Sequence, residues 1–485
     1  MVVGIVAIVV QVVAPRVNSG DGATLGGSAS QASTSSLRTA RPTATRNPIP
    51  AGNDWTQYRF DVAGTGVNPE GLIRSSNINQ LQHAWTMSDV FGYHPFESTP
   101  AVVDGKIYVT SGHSLHALDL LTGNELWHFD DSGKENGTIF SSVAVDKSAG
   151  LAVYGTPGGR LYAINIRTHM AAWMVQLGNP DQGANVWSSP LIANGKVYIG
   201  LASTNDNPCV RGDVTAVDLL TGHVVWTHYF APDNELGSAV WSSVTADVAA
   251  GQIIVTSGNP CGFPAGTNPQ GGTVDNEQDA ILALDWNTGA TVWKYSAMQY
   301  DGCDCDFGEG AAVFTYQQTK YIVAGNKAGV VYALTPPTSP GEQPTVAWSQ
   351  TITAADQLGA GGVFQPPTYS NGLIFVGAGP TLDGACPNGA LWAFRADSGD
   401  TAWRVCTPNQ LVGASAVSGD LLLMGMQNEV VALSTATGAQ VWQADQPQGT
   451  AWGGVAVSHG FLLSPMVGGP NGNSGQLFCY RLLTS

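Results

Sequence analysis

Charge is the scarcest property of this 485-residue chain: only 11% of its residues are Asp, Glu, Lys or Arg, well under the share of about 25% usual in soluble proteins. The basic residues number 19 against 36 acidic ones, for a net charge of −17. That excludes the basic face a phosphate backbone requires, and nucleic acid with it. Seven cysteines are present but no Cys-x-x-Cys-His, so no c-type haem is attached to this chain. No local nucleophile signature marks a hydrolase, and no acidic stretch has EF-hand spacing. A long hydrophobic run is also missing. Val2 to Ala14, broken by Gly4 and Gln11, is too short to span a bilayer comfortably and has the length of a secretory signal's apolar part, without its usual basic flank.

Residues 1–15 therefore read as a signal peptide or N-terminal anchor, and 16–52, rich in Ser, Thr, Ala and Gly without periodicity, as a disordered linker. The expected location is secreted, periplasmic or at the cell surface, with membrane contact only through such an anchor. Cys209, Cys261, Cys303, Cys305, Cys386, Cys406 and Cys479 suit an oxidising compartment, with three bridges and one cysteine left over. Cys209 with Cys261 and Cys386 with Cys406 are the expected pairs, each joining loops of neighbouring repeats.

What fills the chain is a repeat. Ala283-Leu-Asp-Trp-Asn-Thr-Gly-Ala-Thr-Val-Trp293 has close copies at Ala117 to Trp127, Ala216 to Trp226 and Ala432 to Trp442. Weaker copies run from Ala163 to Trp173 and Ala393 to Trp403, and a copy from Ala333 to Trp348 is stretched by prolines. Each reads as a hairpin: an apolar strand, a turn on Asp and Thr-Gly where Gly takes positive φ, and a strand ending in Trp. An earlier strand pair, as in 101–109, 190–199 and 368–376, turns on Asp-Gly or Asn-Gly, and completes four strands per repeat. Leu81 to Trp85 looks like a final strand without its beginning, and 475–480 like a repeat that stops before its Trp.

Seven whole repeats and one shared by the termini predict an all-β fold over 53–485, an eight-bladed β-propeller with four-stranded blades. Sharing the last blade leaves no open sheet edge. The repeat Trp residues are expected to pack blades rather than touch ligands.

Ligands of such a ring bind where loops converge at the channel mouth. The most unusual loop is Met298 to Gly308. If Cys303 to Asp306 is extended, Asp304 and Asp306 share one face, roughly 6.6 Å apart. Two such carboxylates can raise one another's pKa, hold a divalent cation, or cap a solvated turn.

The repeats, with Cys209-Val-Arg-Gly and Cys303-Asp-Cys-Asp-Phe-Gly, resemble the quinoprotein alcohol dehydrogenases, in particular the polyvinyl alcohol dehydrogenase branch: eight-bladed propellers that bind pyrroloquinoline quinone (PQQ) and calcium. On that resemblance, Glu97 hydrogen-bonds the quinone, Trp241 stacks on it, Lys327 pairs with its ortho-quinone oxygens, and Asn259 ligates calcium. Asp304 is then the general base and a calcium ligand, with Asp306 the next candidate. Where many members place an Arg against a PQQ carboxylate, 136–142 offers only the hydroxyls of Thr138, Ser141 and Ser142. The expected acidic calcium ligand is represented by Asp206.

The resemblance implies a PQQ- and calcium-dependent oxidoreductase that takes hydride from a small or polymeric alcohol and passes electrons to a separate acceptor such as a cytochrome c. A non-catalytic propeller binding a protein or glycan is the alternative, since both share the scaffold.

Overall fold

A glycine-ended turn sits beneath the Trp of the preceding blade at five of the eight blade junctions, and this contact explains the repeat. The structure is a computed structural model. It describes residues 49–483 except 89–96, 131–137, 205–207, 234, 261–276, 299–304, 340, 356–360, 447–448, 450 and 469–473. The expected signal or anchor and most of the linker, like Asp206, Asp304, Cys261 and Cys303, lie outside the described residues. Packing begins at Ile49, which rests on the core cluster of the last blade.

Eight antiparallel sheets follow in chain order. Blades 1 to 7 span 101–130, 144–176, 191–229, 245–296, 312–351, 368–406 and 416–445. Blade 8 is built from Ala456–Ser458, Phe461–Gly468 and Ser474–Leu482, with Leu81–Ser88 as its outermost strand. The expected eight-bladed ring, with one blade shared by the two ends, is thus present. The early hairpins turn as expected, with Asp104-Gly105, Asn194-Gly195 and Asn371-Gly372 all at positive φ.

In every blade the repeat Trp lies across from one small residue: Ala117↔Trp127, Ala163↔Trp173, Ala216↔Trp226, Ala283↔Trp293, Ala333↔Trp348, Ala393↔Trp403 and Ala432↔Trp442. Blade 8 pairs Trp85 with Cys479, the one described cysteine that is free. From there the ring reaches the next blade. A Cβ on Gly123, Gly222, Gly289, Gly399 or Gly438 would fall within 2.7 Å of the indole of Trp85, Trp173, Trp226, Trp348 or Trp403 respectively, and each of these glycines holds φ between 69° and 74°. The same five indoles donate Nε1–H to a carbonyl of that next turn: Leu120, Leu219, Trp286, Ala396 and Thr435. Thr-Gly and Trp are therefore two halves of a lock between neighbours.

The exceptions follow the sequence. Trp293 faces the proline-stretched turn of blade 5, and its Nε1–H is buried without a partner. Trp127 instead stacks on His169 at 4.7 Å, and Trp442 meets Tyr480 edge-on. The apolar side chains accordingly form clusters that straddle adjacent blades, such as that joining blades 3 and 4.

The segment before blade 1 forms a collar inside the ring. Residues 53–68 bond to the second residue of all eight innermost strands in turn. Trp55 exchanges two bonds with Val102, and Thr56 accepts from Val145. Gln57 Oε1 accepts from Ile192. Val62, Ala63, Thr65 and Gly66 accept from Ala246, Val313, Tyr369 and Val417, and Asn68 Nδ2 donates to Val457. Innermost edges that would otherwise be unpaired are satisfied this way. Arg59 and Phe60 take φ of 59° and 72°, a conformation costly for non-glycine residues. The buried Arg59 guanidinium holds the turn, donating to the carbonyls of Gly310, Ala311 and Pro367.

Candidate functional site

Each innermost strand is entered by a short loop, and the residue four positions before the strand is equivalent in all eight blades. Counting back from Ala101, Ala144, Leu191, Thr245, Ala312, Thr368, Ala416 and Ala456 gives Glu97, Phe140, Trp187, Trp241, Gly308, Phe364, Val412 and Trp452. Seven of the eight line a single cavity of about 440 Å³ at the channel mouth, with Gly308 immediately behind Trp241. That volume is within the range of small-molecule sites.

The walls are mostly aromatic. Phe140 and Trp187 lie 4.2 Å apart, centroid to centroid, and Trp241 and Phe364 lie 6.4 Å apart. A Cβ at Gly308 would sit 2.6 Å from Trp241 Cη2 and 3.2 Å from Phe364 Cδ1, so glycine there is what allows the indole to lie flat against blade 5. The far edge of Trp241 is pinned as well: its Nε1 donates to Asp306 Oδ2 at 2.9 Å. Asp306 Oδ1 pairs with Lys327 Nζ at 2.6 Å, and that ammonium lies 5.0 Å from the indole centroid. Asp306, Lys327 and Trp241 form one unit.

Two positions nearer the strands lies a polar arc. Thr99 N–H donates to Ser142 Oγ, Ser142 N–H to Ser189 Oγ, and Ser189 N–H to Ser243 Oγ, while Gly454 N–H donates to Thr99 Oγ1. Each hydroxyl accepts from a neighbouring blade and so keeps its own O–H to offer the cavity. Four donors suit anionic or carbonyl oxygens.

The cavity's charged lining is acidic, and no Lys, Arg or His lines it among the described residues. Glu97 Oε2 is buried without a hydrogen-bond partner among the described residues, and burial pushes the carboxyl up to about 7. Glu309 is pushed up to about 8 by burial, against the pull of Arg59 and of a 3.3 Å bond from the Tyr58 hydroxyl. Tyr58, from the collar, forms the floor beside it.

Of the residues singled out in the sequence, Glu97, Ser142 and Trp241 line this cavity, and Lys327 adjoins it through Trp241. Thr138 is described but is not part of the lining. Asn259 accepts from Ser238 through its backbone carbonyl, and the adjacent Gly258 abuts the Asp306 carboxylate. Asp304 and Asp206 lie outside the described residues, as does Cys261, the expected partner of Cys209; Cys209 and Cys305 are disulfide-bonded, and Cys386 and Cys406 are joined as expected, but within blade 6 and not between neighbouring repeats. Sequence reasoning missed Tyr58, Phe140, Trp187, Glu309, Phe364 and Trp452. Aligning the repeats on their innermost strands, instead of on the Trp hairpin, would have put five of the six in register.

A family model described as outer membrane protein assembly factor BamB matches residues 88–205 and 277–459, well over half of the chain. A second, described as the β-propeller domain of glucose, ethanol and alcohol dehydrogenases, matches 180–342. A quinohemoprotein alcohol dehydrogenase of Pseudomonas putida is 29% identical over 285 residues, covering 52% of this chain and 41% of the relative. A polyvinylalcohol dehydrogenase of a Pseudomonas species is 23% identical over 447 residues, 81% of this chain and 67% of the relative. The chain thus spans about two fifths of the length of the quinohemoprotein relatives it matches. Among solved structures, a europium-containing methanol dehydrogenase superposes with a TM-score of 0.73 at 17% identity, covering 88% of this chain and 98% of the other. BamB from Moraxella catarrhalis superposes at 0.56 and 16% identity, covering 83% and 99%. These superpositions bear on the fold alone.

Proposed function

The chain belongs to the PQQ-repeat β-propeller family, and from that premise we propose that it is a secreted, periplasmic or cell-surface quinoprotein that binds PQQ with calcium and oxidises an alcohol. The observation that carries this reading is the cavity: aromatic faces for a flat ring, a row of hydroxyl donors for its carboxylates, and a buried Glu97 oxygen without a partner. The residues present fit such a group. Bound there, PQQ supplies the two-electron acceptor for the alcohol's hydride.

The protein's part is orientation and proton handling. Trp241 offers its face, held flat by Gly308 behind it and Asp306 at its edge. Glu97 and Ser142, with Thr138 from the same loop, offer hydrogen bonds, and Lys327 supplies positive charge beside the indole. Asn259, Asp304 and Asp206 would hold the metal as hard oxygen ligands. Asp304 takes the hydroxyl proton as general base, while Asp306, engaged with Lys327 and Trp241, positions both.

Electrons pass to a separate acceptor such as a cytochrome c; a relative from Thauera butanivorans bears the name 1-butanol dehydrogenase (cytochrome c). The substrate is a small or polymeric alcohol.

Dye reduction with a panel of alcohols, in protein loaded with PQQ and calcium, tests the reading. Asp304→Asn should abolish turnover and leave PQQ bound; turnover that survives would move the base to Asp306. A second reading, a binding scaffold, draws on the larger family-model match, that to BamB. It predicts that wild-type protein binds no PQQ.

A further inference from the structure

Glu309 breaks a pattern that blades 1 to 4 keep. In blades 1 to 4 the residue three positions before the innermost strand is a serine bonded within its own blade. Ser98, Ser188 and Ser242 donate to the carbonyls of Thr110, Gly200 and Thr256, and Ser141 accepts from Gly155 N–H. In blade 6 Gln365 donates to Gly413. Glu309 occupies this position in blade 5 and turns away from its blade. Its Oε2 accepts from Tyr58 of the collar, the carboxyl also takes a bond from the Gly310 backbone N–H, and the residue lines the cavity floor.

A carboxylate there faces a difficulty. The groups around it are the Tyr58 hydroxyl, the Arg59 guanidinium already spent on three carbonyls, Glu97 across the cavity, and the Asp306–Lys327 pair behind Trp241. Among the described residues no cation lines the cavity to balance an anionic ligand. A neutral carboxylic acid removes the repulsion and adds a donor.

We infer that the cavity takes its flat anionic ligand together with a proton on Glu309, whose Oε1–H donates to a ligand oxygen while Tyr58 O–H donates to Oε2. The inference deepens the PQQ reading and rests on it for its first probe. The proton comes from solvent, and no bond in the ligand is broken. Burial sets the acid at about 8, so the binding-competent form is present at neutral pH and is lost above it. From pH 7.5 to 9.5 the protonated fraction falls on the order of 20-fold. Glu97, at about 7, is largely ionised across that window.

PQQ titrations at pH 7.5, 8.5 and 9.5, followed by quenching of tryptophan fluorescence, separate the possibilities. Parallel calorimetry in two buffers of different ionisation heat counts protons. Wild type should weaken about 20-fold across the window and take up close to one proton per PQQ at pH 9.5. Glu309→Gln keeps a donor at every pH, so its affinity should change less than threefold with no proton uptake there. The same loss in both proteins would overturn the inference. If PQQ binds neither protein, the cofactor reading fails and pyridine-2,6-dicarboxylate serves as the flat dianion. Binding of it that weakens with pH only in wild type sustains the role of Glu309; pH-independent or absent binding removes it. Benzyltrimethylammonium that binds more tightly as pH rises would identify the cavity as a cation site and contradict the inference.

Discussion

Replacing Gly308 by alanine tests whether the indole of Trp241 is the surface on which a ligand lies. The added Cβ would sit 2.6 Å from Cη2 and 3.1 Å from Cζ2, so the ring must retreat by roughly 1 Å to regain ordinary contact. Behind the methyl is blade 5 backbone, and Phe364 closes the side at 3.2 Å. The ring can move only into the cavity. That motion strains the Nε1 bond to Asp306 at 2.9 Å, a bond to a charged acceptor worth about 1.5–3 kcal/mol. Because the displaced ring enters open space, stability should fall by less than about 1.5 kcal/mol, the mild end of overpacking. The ligand loses both the stacking face and the space, a cost of about 2–3 kcal/mol, or 30- to 150-fold in affinity. PQQ titration by calorimetry beside a thermal melt measures both. Affinity within threefold of wild type would refute the placement of the ligand on Trp241.

The remaining predictions concern the lock, the collar and the floor. Gly289→Ala, at φ 73° and 2.6 Å from Trp226, should cost roughly 2–4 kcal/mol in denaturant unfolding. Trp348→Phe should cost about 1–2 kcal/mol more than Trp293→Phe, since only the first leaves a carbonyl, that of Ala396, without its indole donor. Arg59→Met strips three buried carbonyls of their donor and should open 53–68 to limited proteolysis that it resists in wild type. Glu309 has a folded pKa above its unfolded value, so its favourable contribution is complete below about pH 4.5 and is lost as pH rises through about 8. Glu309→Gln should therefore melt higher than wild type at pH 8.5, by up to roughly 4 kcal/mol, with the gap closing at pH 5; an unchanged gap would remove Glu309 from the titrating groups.

The ring was legible because its units are local. Asp, Thr-Gly and Trp lie within eleven residues of one another, so the hairpin and the blade count follow from reading along the chain, whereas the lock between neighbouring blades does not. The shared blade was legible for the same reason, since a strand without a beginning and a repeat without an end complement each other. The collar was not. Its sixteen residues have no period, and what they do depends on reaching eight strands that are far away in sequence. The cavity fell between the two cases. Glu97 and Trp241 could be named because they sit in motifs, whereas Glu309 sits in Gly-Glu-Gly, whose meaning appears only when it is set against Ser98, Ser141, Ser188 and Ser242 in other blades. Phe140, Trp187 and Trp452 looked like ordinary apolar residues until their common offset from the innermost strands aligned them.

The central claim is that this mouth of the propeller is a PQQ site. Titrating purified protein with PQQ and calcium, and following bound-quinone absorbance in wild type and Trp241→Ala side by side, tests it most directly. One PQQ per chain at micromolar concentration in wild type, with at least a tenfold loss in Trp241→Ala, is the predicted result; no bound quinone in wild type, or equal binding by both proteins, would contradict it.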